Sequence, residues 1–461
     1  MLNKIRTLRN IVVLSTLMAG SSAYGTAAEF VELCSVSHLP RTTVNTIGAL
    51  KKFVQGWEHG EITCSELVQK LQEHKSLHLP GQTFHYYHVT DLTPISLLDW
   101  IEELEIPSQQ PDTLEPLTHL TNLKKLDITG YEGDQFVVSS LSTLTELSIT
   151  LDSDAEPIDL VTPLANLKTL SLDFRAGKYN LNVLPQSIET LALTGLGLKS
   201  LRGIETLYQL RDLEIQGVKL RSLRGIESLP QRRLERLVIN SSEIGDFSAL
   251  AHLENQTELT ISYTNLTDIS FISKMITLQR ADLSFNKIND LHPIANVLWL
   301  EHLNLGSNQI STSTPLDNLT HLKALMLNHN FLPFIKLGNW PRLEILDLTK
   351  NNLGHGPQLS MEPWQYQIKE LGLGMNELRE LDAQVAKIQS IQTLGIDQNR
   401  LANVVAISNL ANLETLNVAD NKIVDLSPLT SLTKLKELTF YDNPVQVSGC
   451  PVQPTTICTH P

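Results

Sequence analysis

From Leu278 to Val445 the chain repeats one short phrase eight times. It is an apolar residue, two variable residues, Leu (once Ala), one variable residue, an apolar residue, two variable residues, Asn, one variable residue and a further apolar residue. The first copy, LQRADLSFNKI, begins at Leu278. Others begin at Leu300 (LEHLNLGSNQI), Leu322 (LKALMLNHNFL), Leu343, Ile368, Ile391, Leu413 and Leu435, at steps of 22, 22, 21, 25, 23, 22 and 22 residues. Eight copies in register restrict the chain to architectures in which each copy is one structural unit stacked on the next.

The central part of each copy alternates, which makes it a short strand whose two apolar residues point inward. Leu325 and Leu327, or Leu416 and Val418, then fill the core of one coil. The Asn falls where the backbone turns away from the strand. Asn286, Asn308, Asn330, Asn351, Asn376, Asn399, Asn421 and Asn443 are expected to form a ladder, each amide bonding turn backbone that would otherwise be buried and unpaired. Aspartate there would bury a charge, and leucine would leave the backbone unsatisfied. One coil cannot bury its apolar face alone, so stability rests on stacking neighbours. This period and consensus are the leucine-rich-repeat signature.

Less regular coils precede these. Strand pairs read Leu77/Leu79, Leu104/Ile106, Leu126/Ile128, Leu147/Ile149, Leu170/Leu172, Leu191/Leu193, Leu213/Ile215, Leu237/Ile239 and Leu259/Ile261, which with the eight Asn coils makes about 17 strands. Their ladder position holds other residues, such as Leu196, Val218, Ser242 and Thr264, so a less regular turn is expected there. Several return paths read Asp-apolar-x-Pro-apolar, at Asp91, Asp290 and Asp425. An Asp caps a short helical turn that Pro enters near its start. The expected fold is an α/β solenoid: an arc with a parallel β-sheet on the concave face and short 3₁₀ or one-turn helices on the convex face. At a strand spacing of roughly 4.8 Å the arc is about 80 Å long.

The ends differ in chemistry. Residues 1–28 read as a secretory signal peptide: three positive charges in MLNKIRTLRN, an apolar run from Ile11 to Ala19, then small residues, with cleavage after Ala23, Ala27 or Ala28. The net charge of −14 includes those three charges, so the mature chain stands near −17. That disfavours nucleic acid and anionic membranes as partners. Residues 29–75 read as a helical N-terminal cap. One helix is expected to be capped by Thr42 or Thr43, with Val44, Ile47, Leu50 and Val54 on its apolar face; a second starts with a Thr63–Glu66 capping box. The solenoid is assigned to residues 76–445 and a C-terminal cap to 446–461. Four cysteines lie at the ends. Only the pairing Cys34–Cys64 with Cys450–Cys458 avoids joining opposite ends of a long arc, and it implies an oxidising compartment. His74, His78, His85 and His88 form a cluster better read as helix-end, strand and loop residues than as metal ligands.

The 22-residue consensus, the D-L-x-P-L return and the helical cap resemble bacterial internalin-like leucine-rich-repeat proteins, over about Ser76 to Val445. The resemblance implies that the concave face binds host or other target proteins. The chain ends at Pro461 without an LPxTG-like sorting signal, a stalk or an immunoglobulin-like domain. It is therefore more similar to the secreted, unanchored members, and a role in virulence is what that likeness implies.

No G-x-S-x-G elbow, phosphate loop or H-E-x-x-H is present, and about sixteen residues follow Val445, so no enzyme and no cofactor is expected. Binding is expected from the strand positions that face solvent. Most are small or polar, but the coils from Leu278 to Leu348 display Arg280, Asp282, Phe285, His302, Asn304, Met326, Asn328, His329, Ile345 and Asp347. Exposed apolar groups ringed by polar ones suggest a contact site for a protein ligand. A second, acidic set, Glu103, Glu105, Asp127, Glu146, Asp212 and Glu214, would steer a basic partner. The reading is a secreted monomer that binds a protein; an inhibitor or regulatory subunit of a secreted hydrolase or receptor, or a structural adhesin, is the alternative.

Overall fold

The computed structural model describes residues 27–55, 61–79, 88–151, 158–176, 179–229, 233–354, 357–359, 362–446 and 449–459. The signal peptide read from the first 28 residues lies outside them except for Ala27 and Ala28, as does His85. The chain divides into two compact units, residues 1–210 and 211–461.

The first unit opens with helices α1 (Ala27–Cys34), α2 (Arg41–Gln55) and α3 (Cys64–Gln72). Phe30 and Leu33 of α1, Ile47 and Leu50 of α2, and Leu67 and Leu71 of α3 form its apolar core. Cys34 and Cys64 are disulfide-bonded, tying α1 to the start of α3. The capping box is complete: the Glu66 amide donates to Thr63 Oγ1 at 3.3 Å and the Thr63 amide to Glu66 Oε2 at 2.9 Å. Helix α2 departs from expectation. It begins at Arg41, so Thr42 and Thr43 lie within its first turn and cap nothing, and Val44 is exposed. Thr43 and Thr46 are buried instead. Their hydroxyls donate to the carboxylate and carbonyl oxygens of Asp91, docking α2 on the first return path.

Six parallel strands follow, one per coil: β1 (Ser76–His78), β2 (Glu103–Glu105), β3 (Lys125–Ile128), β4 (Glu146–Leu151), β5 (Thr169–Phe174) and β6 (Thr190–Thr194). A one-turn helix, α4 (Thr93–Ser96), and short 3₁₀ turns form the returns. His78 is exposed with its Nδ1 2.6 Å from Glu105 Oε2, and the His74 ring meets Phe53 edge-on. No group of three or more His, Cys, Asp or Glu among the described residues is arranged to hold a metal.

The second unit carries twelve parallel strands in its main sheet and two small two-stranded sheets. In chain order the strands are β7 (Asp212–Gln216), β8 (Lys219–Leu220), β9 (Arg236–Asn240), β10 (Glu243–Ile244), β11 (Glu258–Ser262), β12 (Arg280–Asp282), β13 (His302–Asn304), β14 (Ala324–Met326), β15 (Lys336–Leu337), β16 (Ile345–Asp347), β17 (Gln358–Leu359), β18 (Glu370–Gly372), β19 (Thr393–Gly395), β20 (Thr415–Asn417), β21 (Glu437–Thr439) and β22 (Cys458–Thr459). The pairs β8–β10 and β15–β17 form the small sheets on the return side. The 25-residue step at Leu343 accommodates β17 together with fully buried Tyr366. Strand β22 was not foreseen: the segment after the last repeat turns back and pairs with β21, while Cys458 bonds Cys450.

The ladder runs through all eight Asn coils. Each Nδ2 donates to a carbonyl of the preceding coil at 2.6–3.1 Å, from Ile261 for Asn286 to Val418 for Asn443. Each Oδ1 accepts an amide of the preceding coil at 2.9–3.1 Å. On the returns, the Asp91, Asp290 and Asp425 carboxylates accept the amide two residues on, and Pro stands at the start of the helical turn that follows. No helix among the described residues is long and apolar enough to cross a membrane.

Candidate functional site

The open face of the second unit's sheet is built of rows, because parallel strands in strict register place equivalent residues side by side. One row runs Glu258, Arg280, His302, Ala324, Ile345, Glu370; the next runs Thr260, Asp282, Asn304, Met326, Asp347, Gly372. Inward residues such as Leu303, Leu325 and Leu346 are buried, whereas of the residues in these rows only Ala324 is.

The structure divides the ten residues expected at this site into three groups. Arg280, His302, Met326 and Ile345 stand together on four adjacent strands. Asp282, Asn304 and Asp347 stand there too, but each carboxylate or amide oxygen accepts its own backbone amide two residues on, from Ser284, Gly306 and Thr349 at 2.9–3.0 Å. They shape the strand ends before they orient any ligand. Phe285 and His329 are not strand residues. They lie in the turn beyond, with φ of 55° and 56°, and Asn328 lies between strand and turn. The x-x after the second apolar residue was read as more strand; the ladder Asn bends the chain one residue earlier.

Phe285 remains 46% exposed, but it is not isolated. Its ring stacks on Tyr263 of the preceding coil, with centroids 4.0 Å apart and planes 10° from parallel. Tyr263 was missed because its coil lacks the ladder Asn; it too precedes the ladder position and has positive φ. Arg280 makes a loose ion pair with Glu258 at 3.6 Å, and Arg236 reaches the same carboxylate at 3.8 Å. His302 sits half-buried between Arg280 and Ala324, and its Nδ1 is enclosed with no hydrogen-bond partner. Burial, reinforced by Arg280, pushes its pKa below the usual histidine range.

The acidic set read from the sequence is less acidic in place. In the first unit Lys125 stands in register between Glu103 and Glu146 and pairs with Glu105 at 2.5 Å. In the second, Asp212 and Glu214 stand beside Arg236 and Val238.

One strand per coil, inward aliphatic pairs and an Asn-capped turn define a leucine-rich-repeat fold. The family model described as "Leucine Rich repeats (2 copies)" matches residues 411–449. No curated protein matches the chain. Among solved structures it is similar to the Leptospira interrogans LRR protein LIC12759, at 19% identity over 73% of this chain and 95% of that one, with TM-score 0.56. It is similar to the protein of a TLR13–ssRNA13 complex, at 20% identity over 77% of this chain and 56% of that one, with TM-score 0.56. An internalin, InlF of Listeria monocytogenes, matches at 18% identity over 87% and 90% of the two chains, with TM-score 0.39.

Proposed function

We propose that the chain is a secreted, non-catalytic module that binds a protein partner on the concave face of its repeat sheet. On this reading residues 1–28 are the cleaved leader, 29–75 and 446–461 the caps, and 76–445 the repeats. The observation that carries it is the group Arg280, His302, Met326 and Ile345: a cation, an imidazole and two apolar side chains on adjacent strands, outside the core. Apolar groups held on a solvent-facing sheet, with polar groups around them, are what an interface centre needs. The charged leader and the two disulfides support an oxidising, extracytoplasmic destination. The strongly acidic balance favours a protein over nucleic acid.

The test begins with capture of a partner by the oxidised, leader-free protein. Met326→Ala combined with Ile345→Ala then weakens that partner's binding more than about tenfold with the melting temperature little changed. Thr415→Ala, on the same face of β20, changes it little. Parent-like affinity in the double variant places the contact elsewhere and ends this reading.

A further inference from the structure

Phe285, Asn328 and His329 lie outside the strand patch, yet they stand on the coils of β12 and β14 that carry its Arg280 and Met326. They sit where those strands end. Backbone bonds set these turns side by side: the Phe285 amide donates to the Gly306 carbonyl at 2.9 Å, and the Ser307 amide to the Asn328 carbonyl at 2.8 Å. Phe285, Ser307 and His329 share the left-handed conformation, with φ of 55°, 57° and 56°, so their side chains leave the chain in the same direction. Together with Tyr263 of the coil before, they form a row along the turns.

The first two members of that row are stacked. The Tyr263 and Phe285 rings lie 10° from parallel with centroids 4.0 Å apart, less than the roughly 4.8 Å between neighbouring strands. Rings so close and so nearly parallel face each other along the row. Tyr263 therefore covers one face of Phe285, and the opposite face turns toward the next coil. That coil carries Gly306 and Ser307, which are too small to cover it, and Phe285 stays exposed. His329 stands one coil further on, roughly 9.6 Å from Phe285 at two strand spacings. A flat ring makes contact at about 3.5–4.0 Å on each side. The interval over Ser307 takes one ring.

The strand-side end of this opening is polar. A Cβ at position 306 would stand 2.6 Å from Asn328 Oδ1 and 3.2 Å from Asn304 Oδ1, so both carboxamides lean over Gly306. Asn304 is committed, because its Oδ1 accepts the Gly306 amide at 3.0 Å. Asn328 bonds its neighbours through its backbone: its carbonyl accepts from Asn330 Nδ2 and from the Ser307 amide. Among the described residues its carboxamide bonds nothing. That leaves an acceptor oxygen and two N–H donors beside the edge of any ring laid on Phe285.

We propose that this opening takes an aromatic side chain with a polar edge, of the tyrosine kind, presented by the protein partner. Its ring lies on the free face of Phe285 over Ser307, and its hydroxyl meets the Asn328 carboxamide. The inference rests on the protein-binding role proposed above and names what the partner brings to the turn edge of that face.

The probe is N-acetyltyrosinamide, titrated into the full leader-free protein and followed by chemical shifts. Saturable shifts are expected at the Gly306, Ser307 and Asn328 amides, with the ring protons of the probe moved upfield by the Phe285 ring. N-acetylleucinamide, which has apolar bulk but no plane, is expected to bind at least about fivefold more weakly. Phe285→Ala and Asn328→Ala are each expected to weaken probe binding by about fivefold. Ser307→Phe fills the opening with a ring that the same backbone conformation already carries at Phe285. It is expected to keep or raise the melting temperature and to abolish the probe's shifts. The proposal is overturned if no saturable shift appears at those amides, or if N-acetylleucinamide binds equally well. It is also overturned if Phe285→Ala, Asn328→Ala or Ser307→Phe binds the probe as the parent does. No partner is needed for these measurements, so loss of probe binding leaves the strand patch standing. Parent-like partner affinity in the Met326→Ala, Ile345→Ala variant ends that reading whatever the probe does.

Discussion

The coils from Leu278 onward and those before them solve the same turn by different means. In the eight Asn coils the main-sheet strand is three residues long. In β4 and β5 it is six, and in β6, β7, β9 and β11 it is five. The ladder amide takes the carbonyls on which a longer strand would pair, one on its own coil and one on the coil before, and so ends the strand early. Where the Asn is missing the strand runs on in β4 to β7, β9 and β11, whereas β1 and β2 stop at three residues and β3 at four.

The residue just before the ladder position shows the energetic side of this. In all eight Asn coils it is left-handed and not Gly: Phe285, Ser307, His329, Lys350, Met375, Gln398, Asp420 and Asp442. Three earlier coils put Gly there, Gly130, Gly195 and Gly217, each followed by an apolar residue, Tyr131, Leu196 or Val218. Three others keep a side chain at that position, Ser108, Ser241 and Tyr263, and each is followed by a group that bonds backbone or the neighbouring ladder: Gln109, Ser242 or Thr264. A side chain in the left-handed region costs about 1–2 kcal/mol. The coils with a polar ladder residue offset that with buried hydrogen bonds; those without one remove the Cβ instead.

The largest test of this contrast is Asn330→Leu. It removes the bonds from Nδ2 to Leu305, Leu327 and Asn328 and the one that Oδ1 accepts from Ile310, at a residue 4% exposed. A loss of about 4 kcal/mol in denaturant titration is expected. Asn304→Leu, on the open face of the same sheet, should lose about 1 kcal/mol through its single bond to the Gly306 amide. Similar losses from the two would break the distinction between ladder and face.

Gly217→Ala comes next. A Cβ there meets nothing within 4 Å, so its effect reports backbone strain alone, expected at about 1–2 kcal/mol. Ser307→Ala already has its Cβ in that conformation and should move the melting temperature little. If Gly217→Ala is silent, the pairing of Gly with apolar ladder residues has another cause.

The Tyr263–Phe285 stack spans the junction of the two turn types, and a double-mutant cycle with Ala at both sites should give a coupling of about 0.5–1.5 kcal/mol. Zero coupling would mean that the rings share an edge without holding it.

The smallest effect concerns pH. Burial lowers the His302 pKa, so the fold penalises its charged form. Its contribution to stability is fully present above the unfolded value of about 6.5 and is lost as pH falls from there through the folded value. His302→Gln should therefore show a smaller drop in melting temperature between pH 7.5 and 5.5 than the parent. An unchanged drop would assign the pH dependence to other groups.

Much of this was legible in the sequence. The inward Leu pairs, the buried Asn positions, the Thr63–Glu66 box and the return-path Asp residues all follow from local pattern, because their partners lie within one coil or one fixed step. Helix α2 was legible as a helix but not in its facing: nothing local says that Thr43 and Thr46 will be buried against Asp91, 48 and 45 residues away. The placement of Phe285 and His329 in the turn failed for a different reason. Alternation was extended past the point where a side-chain amide, not strand pairing, sets the backbone.

The sequence by itself determined the coil: its period, which residues point inward, and which turn position needs an amide. These depend on chain geometry and on the cost of burying an unpaired backbone group, which are the same wherever the coil sits. Only the tertiary structure decided what the outward residues do. Stacking brings residues about 22 positions apart side by side, so Arg280, His302, Met326 and Ile345 are seen to share one patch, while the bonds that Asp282, Asn304 and Asp347 accept from the amide two residues on show which of their neighbours serve the strand end instead.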